Sequence, residues 1–387
     1  MIYRRPNYFN KFNCIADKCE DTCCAGWQIV IDEESLTKYK NVEGEYKDKL
    51  TKMIDWENGV FYQDSVRRCA FLDCDNLCNM YKNLGEESLC KTCTNYPRHI
   101  EEFENIREIN LSISCPEIAR IILSNRDKVK YVEEEVESEE EEFEEFDVFL
   151  HSYLEDARNI IIDIIQNRDV EITLRIALIH RFVQEFDECI DDENLFEAGA
   201  VFDKYENIFD NKDIIESVEK EIEEFHSDMN YMMGFSKSMI SKLYELERLS
   251  EHWEYHLEET WHILFDKKAL GYYEMHKEFI KWCKTEKQKN WTMSQEDIID
   301  IEIIIEQLMV YFVYTYFCGA VYDGYVLSKI NMIVLSVFCI YEMLVARWYK
   351  NEKYLDMEDI ELIVYRYSRE LEHSDDNLEK LEEISEI

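Results

Sequence analysis

The chain has 387 residues, enough for two or three domains and a sizeable hydrophobic core. Its 85 acidic residues outnumber the 43 basic ones, giving a formal net charge of −42 at pH 7. This charge argues against binding to the phosphate backbone of nucleic acids and against binding to anionic membrane surfaces.

The first residues, "MIYRRPNYFNKF", have a basic start. They lack the run of apolar residues that forms the core of a signal peptide. We therefore expect a cytoplasmic protein whose cysteines are kept reduced.

The stretch "CIADKCEDTCCAGW" opens a region unusually rich in cysteine. Ten of the fourteen cysteines fall within the first 115 residues, namely Cys14, Cys19, Cys23, Cys24, Cys69, Cys74, Cys78, Cys90, Cys93 and Cys115. Helical periodicity is weak between them, so burial alone would stabilise this region poorly and a crosslink is expected. In a reducing compartment metal ligation explains the cysteines better than disulfides do, although disulfides remain an alternative.

The spacing of the cysteines bears on the kind of metal. Only Cys90 and Cys93 form the CxxC pair typical of zinc sites, whereas an all-cysteine iron–sulfur cluster tolerates irregular intervals. The pattern favours an iron–sulfur cluster, with zinc as the alternative.

The segment "TNYPRH" follows Cys93 directly and would lie close to any metal. Arg98 could bind the carboxylate of a cofactor, and Tyr96 could hydrogen-bond a lysine. The alternative is a structural turn in which Arg98 donates to backbone carbonyls. Trp27, just beyond Cys24, is predicted to cover a small core of this region.

An acidic run, "EEEVESEEEEFEEF" (133–146), separates two regions of different composition. Mutual repulsion of its ten glutamates predicts a solvated segment. We therefore divide the chain into a cysteine-cluster domain (1–125), an acidic linker (126–147) and an all-helical domain (148–387).

The last region contains no proline, and its apolar residues recur at intervals of three and four, which predicts amphipathic helices packed as an irregular bundle. Two longer apolar stretches, 308–322 and 330–346, are predicted to be core helices rather than membrane spans because acidic residues lie before or within them. The fold class expected is mainly α, with a small irregular cysteine-rich metal-binding domain followed by a helical domain.

The segments "FNCIADKCEDTCCAGWQIVID", "CAFLDCDNLCNMYKNLGEESLCKTCTNYPR" and "LSISCPEIARIIL" resemble the flagellin lysine-N-methylase family, whose amino-terminal half carries a CxxxCxxCC-type cysteine cluster. The aromatic-rich "YFVYTYFCGAVYDGYVLSKINMIVLSVFCIYEML" adds a weaker resemblance in the helical region.

The resemblance implies an iron–sulfur cluster, expected to be 4Fe-4S, and methyl transfer from S-adenosylmethionine to lysine ε-amino groups of flagellin. The family pattern implies that the ligands come from Cys14, Cys19, Cys23, Cys24, Cys69, Cys78, Cys93 and Cys115, while Cys74 and Cys90 look like additions. The sequence assigns no catalytic residue, and no glycine-rich Rossmann turn for the donor is visible. A non-catalytic metal-cluster scaffold is the alternative function.

Overall fold

The computed structural model describes residues 1–44, 46–138, 141–144, 146–191, 194–289 and 299–385, without the side chains of 287–289. The protein is mainly helical, as the sequence predicted.

A four-stranded sheet, which the sequence did not predict, is formed by strands that lie between residues 2 and 135. It contains β1 (Ile2–Pro6), β4 (Arg98–Phe103), β5 (Ile106–Leu111) and β6 (Tyr131–Glu135), in the order β4-β5-β1-β6. β4 and β5 form an antiparallel hairpin, β1 pairs in parallel with β5, and β6 pairs antiparallel with β1. The amino-terminal strand therefore lies inside the sheet.

The cysteine-rich part folds around its own small core. Its elements are short, with β2 (Ile54–Asp55) paired to β3 (Val60–Phe61) and the helices α1 (Glu33–Lys40), α2 (Tyr46–Met53), α3 (Asn79–Leu84), α4 (Lys91–Asn95) and α5 (Pro116–Leu123). Phe61 and Phe71 lie at the centre of the small core, and Trp27 packs against it. Trp27 thus covers part of this apolar core, and its predicted place over the cysteine cluster stays a prediction.

The rest of the chain is a stack of helices. They are α6 (Val148–Ile165), α7 (Ile172–Asp191), α8 (Ala198–Glu206), α9 (Lys212–Ser227), α10 (Met229–Lys242), α11 (Glu251–Phe265), α12 (Ala269–Lys289), α13 (Ile301–Tyr316), α14 (Val326–Lys350), α15 (Met357–Glu372) and α16 (Asp375–Ser385). Their apolar faces form one large core, which also includes the inner face of the sheet and α5. The main core therefore joins the two ends of the chain.

Two helical segments, Ile301–Val321 and Val326–Lys350, are long and apolar enough to cross a membrane. However, 83% and 72% of their most apolar windows are buried inside the protein. Both lie in the main core, as predicted from the sequence, and Cys318 and Cys339 are buried among apolar neighbours there.

The segment predicted to be an acidic linker is more structured than its charge suggests. Residues 131–135 form β6, Arg4 of β1 donates to Glu133 at 2.8 Å, and Phe146 packs against Phe103. The pairing of β6 with β1 and these contacts offset the repulsion among the glutamates. Residues 139, 140 and 145 of the run lie outside the described residues. The division into three domains stays a prediction.

Candidate functional site

Eight thiols from separate parts of the cysteine-rich region lie near one another. The electrostatic environment of each includes at least one other thiol of the group, which comprises Cys19, Cys23, Cys24, Cys69, Cys78, Cys90, Cys93 and Cys115. Seven of the eight cysteines that the resemblance implied are in this group. Cys14 and Cys74 are the exposed thiols of the region.

Cys90, which the family pattern left out of the implied ligand set, lies within this group of thiols. It is fully buried, and its thiol hydrogen-bonds that of Cys93, which raises the pKa of Cys93. The CxxC spacing was the signal that could have included it, because Cys90 is the N-cap residue of α4 and Cys93 lies in its first turn.

The chemistry of the group favours protonated thiols when no cation is bound. Burial raises the pKa of Cys69 to about 11 and that of Cys115 to about 12, and the hydrogen bond with Cys24 raises the pKa of Cys23. The positive charge of Arg369 acts in the opposite direction at Cys19 and Cys23. A bound metal would have to displace protons from most of these thiols.

All of the cysteines are free thiols in this structure. Within the described residues, no three side chains of His, Cys, Asp or Glu converge closely enough to hold a metal ion. Each sulfur that holds a four-iron cluster binds a different iron, so the ligands lie farther apart than around one zinc ion. The gathered thiols are thus of the right type for a cluster, while their arrangement does not form a single-ion site.

Arg369 on α15 connects the helical core to the cysteine-rich region. Its guanidinium donates to the backbone carbonyls of Asp21 at 2.9 Å, Thr22 at 3.1 Å and Ser114 at 3.1 Å, and also pairs with the carboxylate of Asp21. These bonds hold the loop before Cys23 against α15.

Three rings lie beside this junction. The ring centroids of Trp27 and His373 are 4.6 Å apart, and that of Tyr96 is 5.8 Å from Trp27 and 5.7 Å from His373. Burial and the charge of Arg369 lower the pKa of His373 to about 3, so its ring is neutral at physiological pH. A neutral ring is compatible with this aromatic packing next to a guanidinium.

The two residues predicted to bind a cofactor lie in different surroundings. The hydroxyl of Tyr96 is half-buried and forms a hydrogen bond of 3.1 Å with the hydroxyl of Ser114. The ring of Tyr96 lies next to those of Trp27 and His373. Arg98 is exposed at the start of β4, and its Nη1 lies 3.5 Å from the carbonyl oxygen of Asn95. The contact of Arg98 corresponds to the alternative of a structural turn.

A cleft of about 550 Å³ runs between the cysteine-rich region and the helices, a volume in the range of small-molecule sites. One wall comes from residues 20–22, 25, 26, 65–68 and 76, which are next in the sequence to Cys19, Cys23, Cys24 and Cys69. The other wall comes from residues 248–254 and from α15 with His373.

The cleft wall combines charged groups with donors that have no partner. Arg67, Arg68, Arg248, Arg366 and Arg369 all line it, despite the strongly negative net charge of the chain. Among the described residues, no partner accepts from the buried Nε1 of Trp253 or from Nε of Arg366. Buried donors of this kind favour a ligand with acceptor atoms, because an unpaired donor costs free energy.

Glu370 is the buried carboxylate of the cleft, with 2% of its surface exposed. Its Oε2 accepts from the backbone N–H of Leu249 at 2.7 Å. Burial raises its pKa to about 7, partly opposed by the backbone bonds and by the charge of Arg67. A carboxyl group that titrates near neutrality in a cleft is a candidate for proton transfer.

A family model, the FliB lysine N-methylase C-terminal domain, matches residues 158–387, more than half of the chain. The chain belongs to the FliB lysine N-methylase family.

Two curated relatives named lysine-N-methylase, from Salmonella typhimurium and Salmonella choleraesuis, are each 28% identical over 139 residues. These alignments cover 34% of this chain and 35% of each relative, so the chain matches about a third of their length. A flagellar biosynthetic protein named FliU, from Salmonella muenchen, is 30% identical over 134 residues, which are 32% of this chain and 77% of that relative. No solved structure matches the chain.

The range matched by the FliB model contains one wall of the cleft. Residues 248–254 and the lining residues of α15 lie inside it, whereas the wall formed by the cysteine-rich region lies before residue 158. Sequence reasoning missed the cleft because its residues come from four distant segments, which show no shared spacing or motif.

Proposed function

We propose that the protein is a protein-lysine N-methyltransferase that uses S-adenosylmethionine. The match of residues 158–387 to the FliB lysine N-methylase domain carries this proposal. The names of the two lysine-N-methylase relatives support it.

The cleft is the proposed place of reaction. It lies between the two parts of the chain, its volume suits a nucleoside-sized ligand, and its unpartnered donors suit the carboxylate of the methyl donor. Methyl transfer needs a neutral amine held in line with the sulfonium carbon, so positioning supplies most of the rate enhancement. Trp253 and Arg366 would orient the donor, and the walls would exclude water.

Flagellin is the proposed substrate. The flagellar name of the FliU relative supports it. The net charge of −42 would attract a lysine-bearing surface over several ångströms, an attraction that salt screens. The protein is proposed to act in the cytoplasm, where flagellin is made.

An iron–sulfur cluster is proposed as the cofactor, held by four cysteines of the cysteine-rich region. The proposed ligand set is the predicted Cys14, Cys19, Cys23, Cys24, Cys69, Cys78, Cys93 and Cys115, with Cys90 added because its thiol lies against Cys93. When bound, the cluster would crosslink the cysteine-rich wall of the cleft and so fix its shape. Tyr96 and Arg98 stay proposed contacts of the cofactor.

Mass spectrometry tests the proposal. Anaerobically purified protein, S-adenosylmethionine and flagellin from the same cell should give products heavier by successive methyl groups on lysine. Flagellin from cells lacking the gene should lose those methyl groups. Identical lysine methylation in both strains, together with metal in the purified protein, would instead support the non-catalytic scaffold.

A further inference from the structure

We infer that Glu370 accepts the proton of the target lysine's ε-ammonium group in the cleft. This inference rests on the proposed function and assigns a catalytic residue to it.

The position of Glu370 is the first support. Among the described residues that line the cleft, it is the one carboxylate that is buried; Glu20 and Glu251 are exposed, and Asp21 and Glu254 are half-exposed. A buried carboxylate without a cationic side-chain partner at hydrogen-bond distance is costly, and a lysine ammonium entering the cleft would supply that partner.

The carboxylate is also held in place. Its Oε2 accepts from Leu249, while Asn377 donates to the backbone carbonyl of Glu370 at 2.7 Å and to that of Glu247 at 2.9 Å. The loop before α11 is thereby fastened to α15. A base fixed by such bonds loses little entropy when it binds the proton of a substrate.

The charged groups around Glu370 include both signs. Five arginines (Arg67, Arg68, Arg248, Arg366 and Arg369) line the cleft together with the carboxylates Glu20, Asp21, Glu251 and Glu254 and with His252 and His373, and Glu247 lies near Glu370. Arg68 and Arg366 hydrogen-bond neutral groups, Asn76 and His256, since burial and two arginines lower the pKa of His256 to about 4. Positive charge that is not neutralised nearby lowers the pKa of an incoming amine.

Two arginines of the cleft thus oppose the long-range field of the protein. The net negative charge attracts the ammonium but would keep it protonated, whereas Arg68 and Arg366, which hydrogen-bond neutral groups, favour the neutral amine. Glu370 provides a nearby acceptor for the proton that the lysine must lose. The raised pKa of Glu370, about 7, matches this task at physiological pH.

The lysine Nζ gives one proton to the Glu370 carboxylate, and the resulting lone pair attacks the methyl carbon of the sulfonium. The N–C bond forms as the C–S bond breaks, and its electron pair leaves on sulfur as a neutral thioether. The methylated ammonium and the protonated Glu370 then release their protons to solvent before another cycle.

The test compares Glu370→Gln with Glu361→Gln. Glu361 lies on the same helix nine residues earlier, two and a half turns away, and burial also raises its pKa to about 7, but it pairs with Arg120 and does not line the cleft. Glutamine at position 370 can still accept from Leu249. The rate of methyl transfer should fall by about 100-fold or more in Glu370→Gln at pH 7 and stay near wild type in Glu361→Gln.

The pH profile separates a base from a structural group. In wild type, kcat/KM should rise with pH through about 7, because Glu370 must be deprotonated to accept the proton. In Glu370→Gln the step in kcat/KM near pH 7 should vanish. The rate of the variant should instead increase steadily up to the pKa of free lysine, about 10.4. Wild-type rate and profile in the variant would overturn the inference while leaving the methylase activity in place.

A surface variant covers the case in which Glu370→Gln does not fold. The side chain of Glu247 is 54% exposed, and its charge raises the pKa of Glu370, so Glu247→Gln should shift the rising limb to lower pH. An unshifted limb in the folded Glu247→Gln protein would overturn the inference. Wild-type protein that methylates no lysine at any pH would instead remove the proposed function itself.

Discussion

The guanidinium of Arg369 donates to the backbone carbonyl oxygen of Asp21 at 2.9 Å, which joins residues 348 positions apart in the chain. The same side chain also donates to Thr22 and Ser114. The loop that leads to Cys23 therefore depends on α15 for its position, and the shape of the cleft depends on both.

Replacing Arg369 with Met should destabilise the protein by about 2–4 kcal/mol, because three backbone carbonyls and Asp21 lose a largely buried donor. Urea unfolding measures the change. Arg98→Met is the control, since Arg98 is exposed and has one long contact, to Asn95. Equal stability of the two variants would show that the Arg369 bonds do not hold the junction.

A second prediction concerns acid stability. Glu108 of β5 is 2% exposed and accepts from Arg158 at 2.5 and 2.6 Å and from Arg4 at 2.5 Å. These arginines lower the pKa of Glu108 despite its burial. A lowered folded-state pKa stabilises the protein above the unfolded value, 4.5, and this contribution is lost as the pH falls through the folded pKa.

Glu108→Gln should therefore be less stable than wild type at pH 7, and the difference in the free energy of unfolding should shrink as the pH falls below 4.5. Urea unfolding of both proteins at pH 7, 5 and 4 gives this difference. A difference that stays constant over this range would contradict the ion-pair explanation.

The third prediction follows from the position of Cys90. Its thiol is buried against Cys93, whereas Cys74 is exposed. Cys90→Ser should lower the iron and sulfide content of anaerobically purified protein, since a hydroxyl is a poor substitute for a thiolate near a cluster. Cys74→Ser should keep wild-type content and absorption. Equal content in the two variants would instead support the sequence-based prediction that Cys90, like Cys74, is an addition to the ligand set.

The sequence revealed the parts of the fold that depend on residues close together in the chain, and it missed those that depend on distant residues. The helices after residue 148 and the core helices α13 and α14 were predictable, because helical periodicity is local. The parallel pairing of β1 with β5 joins residues about a hundred positions apart, and no local pattern encodes it. β6 was hidden because its glutamates resemble a solvated run, while its partner strand supplies Arg4 to neutralise them.

The residues of the candidate site likewise include some that the sequence could predict and some that it could not. The clustered thiols were predictable because cysteine is rare and its spacing is readable, and the structure gathers most of them. The arginines and Glu370 of the cleft were not, since single charged residues on a helix resemble an ordinary solvated face. Only the packing of α15 against the cysteine-rich loops shows that Glu370 is buried.

The last prediction tests whether the cleft is the place of reaction. Val66 lines the cleft and is 63% exposed, while Val30, in the same region, is 56% exposed and does not line the cleft. Val66→Trp should obstruct the cleft and lower kcat/KM for flagellin by at least about tenfold, because a misplaced substrate loses the aligned geometry that methyl transfer needs. Val30→Trp adds the same indole to a similarly exposed position and should leave the rate unchanged. Both variants should keep the wild-type melting temperature, since exposed positions contribute little to stability. Full activity of Val66→Trp would place the reaction elsewhere, whereas an equal loss in both variants would point to a general effect of the added indole on the cysteine-rich region.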